Sequence, residues 1–168
     1  MQIDRILVAM DDSEASRRLL SAVAERAQKS EAVHVVLCHL LPPLPPELLE
    51  SRGSESSEQE EKIQRNHETA QSQLVGKEAA AGERLLAESK KVLEGYGIAA
   101  DRISTKIAEP VESHDAIVDG LVALAKKLDC GTIAVGRKSF PILREILDAH
   151  LGEKLKHRAA GLEIWIVD

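Results

Sequence analysis

Residues 3–20 read IDRILVAMDDSEASRRLL, and the middle of that stretch decides the architecture. Ile6 to Met10 is an unbroken apolar run, which suits a strand covered on both faces rather than one with a wet side. Asp11, Asp12 and Ser13 follow at once; short polar side chains in this position accept hydrogen bonds from the first unpaired N–H groups of a helix. Ala15, Leu19, Ala22, Val23 and Ala27 then recur at helical spacing, which predicts an amphipathic helix to about Lys29. A doubly buried strand passing directly into a helix is the opening of an α/β protein.

The rest of the chain repeats that alternation. Ala32 to Leu41 (AVHVVLCHLL) is a second buried strand, stopped by the prolines at 42, 43, 45 and 46. Glu47 to Lys62 is rich in Ser and Glu and poor in apolar residues, so a mobile insertion is expected over about 44–62. Helical periodicity follows from about Glu58 to Glu94, with Ile63, Ala70, Leu74, Ala81, Leu85 and Val92 on one stripe. Gly76 and Gly82 interrupt it, each costing about 1 kcal/mol against Ala inside a helix, so the pattern is cleanest over Ala79–Leu93. Gly95 and Gly97 close it. Arg102 to Ala108 (RISTKIA) alternates polar and apolar residues, as an edge strand with one wet face does. After Pro110, Ser113 is positioned to cap a helix carrying Ile117, Leu121, Leu124, Ala125 and Leu128. Gly131–Gly136 (GTIAVG) is a fourth strand. Leu143, Ile146, Leu147, Leu151 and Leu155 mark a last helical region broken near Gly152, and Leu162–Val167 (LEIWIV) is a fifth strand. Strands alternating with helices require a parallel sheet with right-handed crossovers and helices on both faces. The length is that of a single domain over all 168 residues.

Composition narrows the partners. A formal charge of −6 lacks the clustered Lys and Arg that hold phosphate backbones. Aromatic residues are 2% of the chain, too few for a base-stacking surface. Both arguments are against nucleic acid. No apolar run is long enough to span a bilayer, and the N-terminal residues lack a signal-peptide pattern, so a cytoplasmic protein is expected. Cys38 and Cys130 lie in or beside strands far apart in sequence, which fits two reduced, buried thiols. No Cys/His group has metal-ligand spacing.

In sheets of this kind, ligands bind outside the carboxyl ends of the strands, where the winding reverses. Met10–Asp11 and Gly136–Arg137 are the two strand ends that should meet there. Complete Walker, GxGxxG and nucleophile-elbow patterns are lacking, and no catalytic residue is assigned. His39 and Ser13 read as a polar pocket rim and a cap.

The residues that carry these features resemble the universal stress protein family. RILVAMDDSEASRRLL is similar to its first strand and helix, with an Asp at the strand end followed by a Ser. VVLCHLLP resembles its second strand, and DCGTIAVGRKS with LGEKLKHRAAGLEIWIV resembles its fourth strand, last helix and fifth strand. The resemblance implies a doubly wound five-stranded sheet of order 3-2-1-4-5, of the adenine nucleotide alpha hydrolase-like kind.

It also implies a site. Many members bind ATP through Gly, two residues, Gly, nine residues, then Gly followed by Ser or Thr. The glycines let backbone N–H groups approach the phosphates and the final pair starts a helix facing them. Carried onto this chain, those positions are Gly136, Ser139, Ala149 and His150, so three of four differ. A Cβ at Ser139 narrows the approach to a phosphate. Arg137 supplies positive charge nearby. The nucleoside side is kept: Asp11, flanked by Ala9 and Met10, stands where the family's carboxylate binds ribose hydroxyls, and Leu40 where its backbone meets adenine. Asp11 reads equally as a helix-start residue, and Gly136 as a strand-to-loop turn.

The family likeness thus implies a non-enzymatic stress-response or regulatory protein that senses an adenine nucleotide, ATP or AMP, with ATP binding weakened or lost. Two alternatives stay open: an ATP-binding protein with slow ATPase or nucleotidyl-transfer activity, and a pure interaction module with an empty pocket. The apolar last strand, through Leu162, Ile164, Trp165 and Ile166, is the expected homodimer contact.

Overall fold

The computed structural model describes residues 3–41, 44–49, 57–109, 114–136 and 157–167. Its elements are β1 (Asp4–Met10), α1 (Glu14–Gln28), β2 (Val33–Leu40), α2 (Pro46–Leu49), α3 (Ser57–Gly95), a 3₁₀ turn (Ala100–Arg102), β3 (Ile103–Ala108), α4 (His114–Lys127), β4 (Thr132–Gly136) and β5 (Glu163–Val167). The five strands form one sheet of order β3-β2-β1-β4-β5, and all four neighbouring pairs are parallel. The order reverses beside β1, between the leftward path to β2 and β3 and the rightward path to β4 and β5.

Alternation along the strands divides the core into two layers. Ile6, Val8 and Met10 of β1 join Val35 and Leu37 of β2 under α1 and α3, with Leu19, Val23, Leu86 and Leu93. Leu7 and Ala9 join Val36, Cys38, Leu40, Ile133 and Val135 on the opposite face, against Ile117, Leu121 and Ala125 of α4. Ile6 to Ala9 are wholly buried because β1 is central and sandwiched. β3 is an edge strand, as expected, but Ser104, Thr105 and Lys106 are exposed in succession rather than on one alternating face.

The helix ends follow local rules. Ser13, in extended conformation at φ −118° and ψ 159°, caps α1 by accepting from the Ser16 N–H. At the end of α3, Gly97 takes φ +88°, its N–H donates to Glu94 O and the Ile98 N–H donates to Leu93 O. This is a Schellman closure, with Ile98 buried in the same cluster as Leu93. α4 ends in the same way, but Asp129 holds the left-handed position at φ 55°. There the Asp129 and Cys130 N–H groups donate to Lys126 O and Ala125 O.

Within 44–62 the chain is helical at Pro46–Leu49 and again from Ser57; residues 50–56 lie outside those described. α3 also runs unbroken through Gly76 and Gly82 for 39 residues. Gly82 packs level with His39 near the end of β2, so the 57–81 part of α3 extends past the carboxyl edge of the sheet, roughly 35 Å of helix. The last helical region, around residues 143–155, and the Ser113 cap lie outside the described residues.

Cys38 and Cys130 are both free and buried. Burial pushes the Cys38 thiol up to about 12 and the Cys130 thiol up to about 11, from an ordinary 9.0. A folded-state value above the unfolded one gives stability that is complete below pH 9 and lost as pH rises toward 11 and 12. From pH 8 to pH 10 each thiol should remove about 1 kcal/mol of stability, and the Cys38→Ala variant should lose correspondingly less. Urea melts at the two pH values check this.

Candidate functional site at the strand ends

The register brings the expected segments to one edge. Met10 pairs with His39, and Leu40 with Ala108. Val8 pairs with Ala134, so Met10 and Gly136, each two residues further on, end their strands side by side. Gly136 also pairs with Val167 at the end of β5. Asp11 therefore emerges at the point where the strand order reverses, between the ends of β2 and β4.

Asp11 is half-buried and its carboxylate is already half-engaged. Oδ1 accepts from the Ser13 hydroxyl and, at 2.6 Å, from the Ser16 hydroxyl. The Asp11 N–H donates back to Ser16 Oγ at 3.0 Å. Ser16 is fully buried. Oδ2 carries no partner among the described residues, and its orientation is fixed by the bonds on its sibling oxygen. Asp11 is thus not the cap of α1, a role taken by Ser13. It locks the first turn with one oxygen and presents the other. A carboxylate oxygen so held suits a hydroxyl donor, such as a sugar hydroxyl.

Asp12 is the residue beside it, and its Oδ1 meets Arg17 Nη2 at 3.5 Å on the exposed surface. Ala9 and Met10 are buried in the two core layers beneath the site; Leu40 and Gly136 are buried at the strand ends. Arg137, Ser139, Ala149 and His150 lie outside the described residues.

Sequence reading missed one member of this edge. Ser16, three residues after Ser13, sits on the same side of the first helical turn, and that spacing is the signal that could have found it. His39 was read as a pocket rim. Its ring is half-buried, with Nδ1 3.1 Å from the Met10 carbonyl oxygen. A carbonyl only accepts, so Nδ1 carries the proton.

Among the described residues, no group of three or more His, Cys, Asp or Glu is placed to hold a metal ion, and no helix is long and apolar enough to cross a membrane. A cavity of about 850 Å³ involves Asp4, Arg5, Asp129 and Gly161. It opens at the amino ends of β1 and β4, opposite Asp11, and plays no part in this site.

The universal stress protein family model matches residues 2–159. The chain belongs to that family. Comparison with curated proteins returned no match. Among solved structures, a universal stress protein family member from Burkholderia pseudomallei superposes with a TM-score of 0.63 at 17% identity, over 98% of this chain and 95% of its own. The universal stress protein from Archaeoglobus fulgidus in complex with dAMP gives 0.55 at 16% identity, over all of both chains. A universal stress protein in complex with cAMP gives 0.56 at 16%, over 100% of this chain and 98% of its own. At these identities the structural likeness shows the shared fold, and the strand order 3-2-1-4-5 is that of the family.

Proposed function

We propose that this universal stress protein family member is a non-enzymatic regulatory protein of the cytoplasm that binds an adenine nucleotide at the carboxyl edge of its sheet. The observation that carries the reading is the Asp11 carboxylate, held on one oxygen by Ser13 and Ser16 with the other oxygen presented where the strand order reverses. That oxygen takes a ribose hydroxyl, and the end of β2 at Leu40 meets the base. The relatives in complex with dAMP and cAMP support an adenylate as the ligand class.

ATP should bind less well than AMP. A triphosphate needs close backbone approach, and Ser139, Ala149 and His150 replace the residues that permit it elsewhere in the family. Calorimetric titration with AMP and with ATP, with and without Mg²⁺ and followed by a product assay, tests the reading. AMP binding without turnover is the expected result. Turnover of ATP would favour the slow ATPase or nucleotidyl transferase, and absence of any binding would favour an interaction module.

The reading includes a homodimer formed through β5. This strand is the sheet's outer edge, and Ile164, Trp165 and Ile166 are only half-buried. Leu162 is half-buried just before it. The opposite edge, β3, exposes Ser104, Thr105 and Lys106, and a lysine there opposes strand addition. On the β5 side, Trp165 packs on the face of the sheet under α1, where Arg26 lies 5.7 Å over its ring and pairs with both Asp4 and Glu163. Light scattering after size-exclusion chromatography should give twice the 18.3 kDa chain mass. A monomer at all concentrations contradicts the β5 contact.

A further inference from the structure

We propose that His39 is a positioning residue of the strand-end site, and that Gly82 of α3 sets where its ring sits. The inference rests on the nucleotide reading above only for its binding arm. It starts from three contacts made by segments far apart in sequence. The His39 Nδ1–H donates to the Met10 carbonyl at 3.1 Å. Met10 is the last residue of β1, and its carbonyl belongs to the peptide that joins it to Asp11. On its other side the ring lies against α3 at Gly82. A Cβ built there falls inside van der Waals contact with His39 Cδ2, and lies 3.1 Å from Cγ and 3.0 Å from Ile107 Cδ1.

The physical consequence is direct. The Met10–Asp11 peptide is planar, so fixing the Met10 carbonyl fixes the plane from which the Asp11 amide and Cα leave. The Asp11 amide then donates to Ser16 Oγ, and the Ser16 hydroxyl donates to Asp11 Oδ1. His39 thus pins one end of the turn whose other end is pinned by Ser13 and Ser16. The direction of Asp11 Oδ2 is the product of both. Gly82 is the only residue type at that position that leaves room for the ring in its present place, because every other side chain starts with the Cβ that displaces it. The ring in turn ties α3, which runs past the carboxyl edge, to the peptide beside the ligand carboxylate.

Amide exchange and AMP titration of three variants test this. His39→Ala removes the ring. His39→Asn keeps an N–H donor on Cγ, close to where Nδ1 stands. Gly82→Ala keeps the ring but pushes it away. In ligand-free protein, exchange of the Asp11 amide is scored relative to Leu121 in α4, so that a general loss of stability cancels. His39→Ala and Gly82→Ala should each speed that ratio about tenfold, and His39→Asn should return it to within about threefold of wild type. AMP affinity should follow the same order. An unchanged Asp11 ratio in His39→Ala overturns the inference, and so does a His39→Asn variant no better than His39→Ala. If wild-type protein binds no AMP, the nucleotide reading fails, while the exchange ratios still decide the role of His39.

Discussion

Replacing Arg102 with alanine should lower the stability of the protein by about 2–3 kcal/mol, a large effect for a partly exposed side chain. Arg102 ends the 3₁₀ turn before β3 and reaches back to the crossover between α1 and β2. The two hydrogens of its Nη2 are shared among Ala27 O at 2.7 Å, Ser30 O at 2.8 Å and Val33 O at 2.8 Å, and its Nε donates to Val33 O at 3.0 Å. The carbonyls at the end of α1 have no helical partners of their own, and the negative end of the helix favours a cation there. One guanidinium therefore binds three carbonyls, of which Ser30 O also accepts the Val33 N–H, and ties β3 to the start of β2 at the amino end of the sheet. Lysine at this position should recover less than half of the loss, because a single ammonium cannot spread over the same fork. Urea melts of both variants check the size and the order; an alanine variant within 0.5 kcal/mol of wild type, or about the reach of an ordinary surface change, contradicts it.

The same substitution at two glycines of α3 should have opposite signs. At Gly76 an added Cβ meets nothing within 4 Å. Gly76→Ala should therefore stabilise by about 1 kcal/mol, the ordinary gain of alanine over glycine inside a helix. At Gly82 the same gain is outweighed. The added methyl meets the ring of His39 and Ile107 Cδ1, and the ring is held in place by the Met10 carbonyl. Overpacking of this kind costs about 1–3 kcal/mol, so Gly82→Ala should come out destabilising overall. The two variants should differ by about 1–3 kcal/mol in chemical denaturation, the overpacking cost itself, though helix propensity alone rates them equal. Equal and positive effects at both sites would show that α3 does not press on His39.

That contrast also shows what was legible in the sequence. β1, β2 and β4 are continuous apolar runs because α-helices cover both their faces, and each is readable from the order of residues alone. The polar residues Ser104, Thr105 and Lys106 marked β3 as an edge strand, and all three are exposed there. Gly97 announced the end of α3 because a left-handed closing residue is cheapest as glycine. The strand order came from likeness to a family, since periodicity says which residues are strands but not which strands are neighbours.

The remainder depends on contacts that local sequence does not encode. Gly76 and Gly82 look alike as helix interruptions, and only the approach of His39, 43 positions earlier, separates a neutral glycine from a required one. Arg102 reads as the first residue of an alternating strand, while its work is done on Ala27, Ser30 and Val33. At the site, Asp11 was visible as a strand-end carboxylate. Its division of labour was not, because the bond from Ser16 Oγ depends on the first turn of α1 already being formed.

The central claim is that Asp11 Oδ2 is the atom that receives the nucleoside. Asp11→Asn isolates it, since the amide oxygen still accepts from Ser13 and Ser16 while the amide nitrogen in place of Oδ2 accepts nothing. Calorimetric titration of AMP into wild-type and Asp11→Asn protein of matched thermal stability is the most direct measurement. The expected result is measurable binding to wild type, weakened about tenfold or more in the variant. Equal affinity in the two proteins, or no binding to wild type, would contradict it.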